Sequence, residues 1–156
     1  MSDALVIEIV RKTVTVNCAV EEAFRVFTAD AMSWWPVESH SIHERVSEIV
    51  FEPREGGEVY EVAASGEKGH WATVLAWEPP GRLVLAWNIL NKESASTEVE
   101  VRFLPEGDRT RVELEHRGWE RLAENAEAKR SSYDSGWDFV LDKYVGRAGG
   151  RGRASA

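Results

Sequence analysis

The chain has 156 residues, enough for one domain that buries roughly two-thirds of the surface its unfolded form would expose. Hydrophobic residues make up 43% and charged residues 29%, which excludes a disordered chain, and the formal net charge of -8 opposes binding to nucleic-acid phosphates. No apolar run approaches the ~18 to 20 residues that cross a bilayer, no secretory signal layout opens the chain, and the single Cys18 cannot form an internal disulfide. A cytoplasmic protein with no nucleic-acid or membrane partner is therefore expected.

The β-branched stretch LVIEIVRKTVTVN, residues 5–17, predicts a strand. Val20, Ala23, Phe24 and Phe27 then recur at i, i+3, i+4 and i+7, the apolar stripe of a short helix with Glu21 and Glu22 at the positive end of its dipole. A second helical turn must end near Trp35, because Pro36 disfavours helical geometry in the residue before it. The sequence SWWPVESHSIHE, residues 33–44, is thus a helix end running into a loop, read as the lid of a pocket or as a contact surface. His40 and His43 lie three apart, but neither Cys18 nor His70 has the spacing to complete a zinc site, so no metal or other cofactor is expected.

From residue 46 to 117, turn signals at GG, SGEKG, EPPG, NKES and PEGDR separate short segments of strand pattern, which describes an antiparallel meander. Gly56 and Gly57 read as a bulge or a turn requiring positive φ. In GGEVYEVAA, alternation permits either Val59, Glu61 and Ala63 or Tyr60, Val62 and Ala64 to face inward. In the next hairpin, alternation puts Trp71, Thr73, Leu75 and Trp77 on the face of Leu83, Leu85, Trp87 and Ile89. The opposite face, with Ala72, Val74, Ala76, Val84 and Ala86, is apolar enough that a homodimer is one way to cover it. In the last hairpin Thr97, Val99, Val101 and Phe103 align with Val112, Leu114 and His116, while Arg102 reaches Glu113 or Glu115 on the charged face.

After RGWERLAENAEAKR, residues 117–130, Tyr133, Trp137, Val140, Leu141 and Tyr144 form the broad stripe of a C-terminal helix laid against a sheet. Phe139 falls off that stripe and needs another neighbour. Residues 147–156, with arginines among glycines, read as a disordered tail behind a single domain spanning residues 1–146.

Strand, two short helices, six antiparallel strands and a long helix is the order of the helix-grip fold. The stretches AFRVFT, SWWP with His40 following, FEPREGGEVYE, WATVLAWEPPGRLVLAW, TEVEVRF, TRVELEHRGWE and GWDFVLDKY carry a closer likeness. To about residue 146 the chain resembles the START-like (SRPBCC, Bet v 1-like) superfamily, and within it the bacterial single-domain branch of the heat-shock protein 90 ATPase activator-like family. That resemblance implies an α+β helix-grip fold, with a curved antiparallel sheet and a long helix enclosing a cavity for a small, largely apolar ligand. The expected lining is Trp34, Trp35, His40, Trp71, Leu85, Trp87, Val99, Val101, Leu114, His116, Tyr133, Trp137 and Tyr144. The resemblance leaves two alternatives: an accessory acting on a chaperone or another protein partner, and a cyclase- or hydrolase-type enzyme. For the enzyme, Glu61 and His116 are the catalytic candidates. An inward Glu61 would have its pKa raised by burial and could act as a base or pair with His116. The bland reading of His116, a hydrogen-bonded core residue, is the commoner one for a lone histidine on an apolar face.

Overall fold

The computed structural model describes residues 7–93 and 95–149. Seven strands, β1 (Val10–Val16), β2 (Val46–Phe51), β3 (Glu58–Ala63), β4 (Lys68–Glu78), β5 (Arg82–Trp87), β6 (Thr97–Glu106) and β7 (Arg109–Arg117), make one antiparallel sheet. Its order is β1-β7-β6-β5-β4-β3-β2, so the chain meanders from β2 to β7 and the first strand pairs with the last. Helix α1 (Val20–Thr28) and a 3-10 turn (Ala31–Ser33) occupy the connection from β1 to β2, and the sheet curls as a half-barrel around helix α2 (Ala126–Ala148). This is the α+β helix-grip arrangement expected from the sequence. Among the described residues no helix is long and apolar enough to cross a membrane.

Helix α2 begins earlier and ends later than its sequence stripe suggests. Ala126 is buried and extends the stripe of Tyr133, Trp137, Val140, Leu141 and Tyr144 backward by about two turns, so the helix starts inside the stretch left ahead of it. Arg147 and Ala148 belong to the helix, with Ala148 buried, and are not tail; residues 150–156 of the expected tail lie outside the described residues.

Strands β6 and β7 keep unbroken alternation, with Val99 opposite His116, Val101 opposite Leu114 and Phe103 opposite Val112 on the inner face. On the outer face Arg102 reaches both Glu113 (3.3 Å) and Glu115 (3.2 Å). Burial alone would push the Glu100 carboxyl up; hydrogen bonds from Arg82 (2.7 Å) and Arg117 (2.8 Å) outweigh it and hold the pKa at about 2.

Strand β4 departs from simple alternation. Val59 pairs with Ala72 but Tyr60 with His70, so Trp71 is an extra residue; Val74 pairs with Leu85 but Ala76 with Val84, so Leu75 is another. Each bulge shifts the alternation by one. Trp71, Ala72 and Val74 consequently turn into the core, while Thr73 pairs with outward Ala86 and Leu75 is 45% exposed. The expectation that Thr73 and Leu75 join the inner face is thereby corrected. Ala72 and Val74 thus leave the apolar outer face expected of this hairpin, Val84 is buried beside Glu100, and Ala76, Ala86 and the exposed Leu75 remain on the outside. Gly57 is needed at the start of β3 because a Cβ there would lie 2.8 Å from Glu52 Cβ and 2.9 Å from Glu52 O.

Inside the sheet a seam of aromatic rings runs from Trp77, Phe24 and Phe103 through Phe27, Tyr144 and Trp34 to Trp35 and Trp71, with successive centroids 4.8–5.7 Å apart. The aliphatic residues beneath it, Leu83, Val101, Val112 and Leu114 among them, have almost no exposed surface. This part of the interior is filled. Val101→Trp is therefore expected to overpack and lower stability by ~1 to 3 kcal/mol or more. Thermal melting against wild type checks this; an unchanged melting temperature would mean that hidden space lies beside Val101.

Candidate functional site

At the far end of the seam the rings separate around a cavity of about 520 Å³, open to solvent on one side. The Trp35–Ile42 loop, the end of β5 with the segment Asn88–Glu93, the 3-10 turn Trp119–Asn125 and one face of α2 enclose it. Five indoles, those of Trp35, Trp71, Trp87, Trp119 and Trp137, form most of the wall together with Tyr133, Ile42, Leu122 and Val140. Each of these indole N–H groups is already committed to the protein. Trp35 donates to His40 O (2.8 Å), Trp71 to Glu61 (2.8 Å), Trp87 to the Tyr133 hydroxyl (3.0 Å), Trp119 to His116 O (2.9 Å) and Trp137 to His116 Nδ1 (3.0 Å). The wall therefore offers aromatic carbon, and the polar groups stand at the rim: Ser39, His40, Asn88, Lys92, Glu93, Lys129 and Ser132.

Glu61 faces inward and is wholly buried, which resolves the alternation of β3 in favour of Val59, Glu61 and Ala63. Its carboxylate accepts from Ile42 N (2.8 Å), His43 N (2.7 Å), His43 Nδ1 (2.7 Å) and Trp71 Nε1 (2.8 Å). Burial alone would raise its pKa; the backbone N–H groups of Ile42 and His43, with Trp71 and His43, reverse the direction and hold it below its ordinary 4.5. The expected raised pKa and the pairing with His116 are both corrected. Glu61 is a fastener between β3, the lid loop and Trp71, and its partner histidine is His43.

His116 is also wholly buried, and both ring nitrogens are used. Nδ1 accepts from Trp137 Nε1, which fixes the neutral tautomer with hydrogen on Nε2, and Nε2 then donates to Thr97 Oγ1 (2.7 Å). Burial depresses its pKa to about 3. It is a hydrogen-bonded core residue.

The rim is held by local pairs. Lys129 Nζ meets Glu93 at 3.1 Å, and Asn88 closes the segment Asn88–Glu93 by bonding both Glu93 N and Glu93 O (3.1 Å each). Leu90 (φ 58) and Asn91 (φ 54) sit in the left-handed region, an unfavourable setting for leucine, with Leu90 bordering the cavity. His40 stacks on Phe139 (5.0 Å, 16°), which supplies the neighbour that Phe139 lacked on the helix stripe.

Residues 17–145 match the family model described as Activator of Hsp90 ATPase homolog 1-like protein. The chain belongs to this family. Among solved structures, the chain is 35% identical to the anthrahydroquino-γ-pyrone synthase Txn09, over 82% of this chain and 88% of that one, with a TM-score of 0.57. It is 27% identical to CalC, a self-sacrificing resistance protein from Micromonospora echinospora, over 90% and 93% of the two chains, with a TM-score of 0.64. The Aha1 dimer from Colwellia psychrerythraea, 12% identical over 91% and 96% with a TM-score of 0.66, shares the family fold. No curated protein matches the chain.

Of the lining expected for this family's cavity, Trp35, His40, Trp71, Trp87, Tyr133 and Trp137 border the space. Leu85, Val99, Val101, Leu114, His116 and Tyr144 are buried in the filled part, and Trp34 is fixed beneath the lid by donating to Val26 O (2.7 Å). These seven do not border this cavity; they pack around its closed end with the rings of α1 and the loop after it. Sequence reasoning missed Ser39, Ile42, Trp119, Leu122, Lys129 and Gly136. For Gly136 a signal existed, a glycine inside a helix stripe.

Two acid-sensitive groups follow. His116 and Glu61 both have folded pKa values below their ordinary ones, so the unfolded chain binds protons more readily and stability falls with pH. The His116 contribution is complete above 6.5 and is lost as pH falls toward about 3. The Glu61 contribution is complete above 4.5 and is lost through its depressed value. Denaturant melts between pH 7 and pH 4.5 are expected to show up to ~1.4 kcal/mol lost per pH unit from His116, and His116→Gln to lack that slope. Glu61→Ala, which leaves buried donors unpaired, is expected to cost ~2 to 4 kcal/mol at neutral pH; a cost under half a kilocalorie would contradict the fastening role.

Proposed function

We propose that the protein binds a small, largely apolar molecule with a planar aromatic ring system in the indole-walled cavity. One observation carries this reading: five tryptophans surround the space and every one of their N–H groups is satisfied within the protein. Such a wall selects for ring faces and edges, which attract indoles in offset or edge-on geometry. A volume of about 520 Å³ falls within the ordinary range for small-molecule sites. The polar rim supplies the few groups that fix orientation. Similarity to Txn09, whose name specifies a fused anthrahydroquinone, supports a ligand of several joined rings. A cytoplasmic location accords with the free thiol of Cys18.

A second reading, a synthase-type reaction on the bound ring system, is favoured by the 35% identity to that enzyme. Proton transfer would then fall to His40 or Tyr133, which border the cavity, since Glu61 and His116 have no free position. An accessory role on a chaperone rests on the family description and ranks below both.

Titration with 1,8-dihydroxyanthraquinone is expected to quench tryptophan fluorescence saturably at one equivalent, and native mass spectrometry of gently purified protein to retain an aromatic compound. Absence of both saturable quenching and retained mass would overturn the binding reading. Conversion of the retained compound to a new product on incubation, slowed in His40→Phe even when that variant is saturated with the compound, would promote the enzyme reading.

A further inference from the structure

Gly136 stands near the middle of the 23-residue helix α2, on the face where Ser132, Tyr133 and Val140 border the cavity. Glycine is the poorest helix-interior residue after proline, so its presence calls for a cause. Backbone conformation is not the cause: Gly136 is helical, and the positive-φ glycines described are Gly56, Gly66, Gly107 and Gly118. Close packing is not the cause either. A Cβ at Gly136 would meet only His40 Nε2, at 3.9 Å, an ordinary contact. The space a side chain would take is open and belongs to the cavity.

His40 closes that space on the other side and is held firmly. Its backbone N–H donates to Pro36 O (2.9 Å), its carbonyl accepts from Trp35 Nε1 (2.8 Å), its ring lies on Phe139, and Nδ1 is 2.7 Å from Ser39 Oγ. Nε2 takes no hydrogen bond among the described residues and is the ring nitrogen nearest Gly136. Either tautomer of His40 leaves Nε2 able to bond a hydroxyl, which both donates and accepts.

We propose that Gly136 determines specificity: the ligand's ring plane lies against the bare helix backbone at Gly136, with a phenolic oxygen at His40 Nε2. The inference rests on the binding reading above and deepens it, committing to a flat polycyclic phenol rather than a bulky or aliphatic molecule. A side chain at this position would project between the helix and His40 and narrow the slot.

The test uses Gly136→Ala and Gly136→Leu with two probes, the tricyclic 1,8-dihydroxyanthraquinone and the smaller 2-naphthol, followed by tryptophan quenching. Gly136→Ala is expected to melt a few degrees higher than wild type, since alanine favours the helix. It should bind the tricycle about tenfold more weakly, whereas 2-naphthol stays near wild-type affinity. Gly136→Leu should lose the tricycle altogether. His40→Phe should weaken the hydroxylated tricycle and leave unsubstituted anthraquinone unaffected. Wild-type affinity of Gly136→Leu for the tricycle, equal loss of both probes, or a lower melting temperature for Gly136→Ala would each overturn the proposal while leaving the binding reading intact. Failure of wild type to bind either probe would instead overturn the reading on which it rests.

Discussion

Glu61 brings a full carboxylate into the interior, where an unpartnered charge costs several kcal/mol in effective solvation. Four donors reach it, two from the backbone of the lid loop, one from His43 and one from Trp71. Satisfying that charge therefore dictates where residues 42 and 43 lie and how the Trp71 ring is turned. The Trp71 ring in turn abuts Trp35 at 4.8 Å and Trp87 at 5.9 Å, so three walls of the cavity take their orientation from one carboxylate. The lid is a loop without regular structure, and this polar fastening gives it a defined position that apolar contact alone does not.

The interior divides into a packed end and an open end for reasons of residue shape. Toward α1, phenylalanines and aliphatic side chains interleave with almost no exposed surface, and Tyr144 satisfies its hydroxyl on Ala23 O at 2.8 Å. Toward the lid, large indoles are held upright by hydrogen bonds at their nitrogens, and rings fixed at one edge cannot collapse onto each other. Their N–H commitments hold the rings in place and at the same time take the indole donors away from the space. His116 and Tyr133 belong to this scaffold, accepting from Trp137 and Trp87 respectively.

Much of this was legible in the residues, and the exceptions share a cause. The inward His116 followed from strict alternation in β7, which has no bulge, and the Arg102 pairs followed from the same register. The faces of β4 did not follow, because no residue type announces the bulges at Trp71 and Leu75. The direction of Glu61 was open in the alternation, and its four donors come from residues 18, 19 and 10 positions away in sequence, beyond any local pattern. An apolar inward residue in a list could equally fill space or border it; Val101 and Trp87 differ only in what their neighbours occupy.

The two bulges in β4 bear on the shape of the whole molecule. A bulge adds length to one strand without adding length to its partners, which bends and twists the sheet locally. Both extra residues fall in the strand that carries β3 and β2 round from the face of β5 toward the lid. Removing one residue at each would restore a straight ladder, and β2 and β3 would splay away from α2. The chamber would become a trough, with Glu61 facing water and the lid loop left without its anchor.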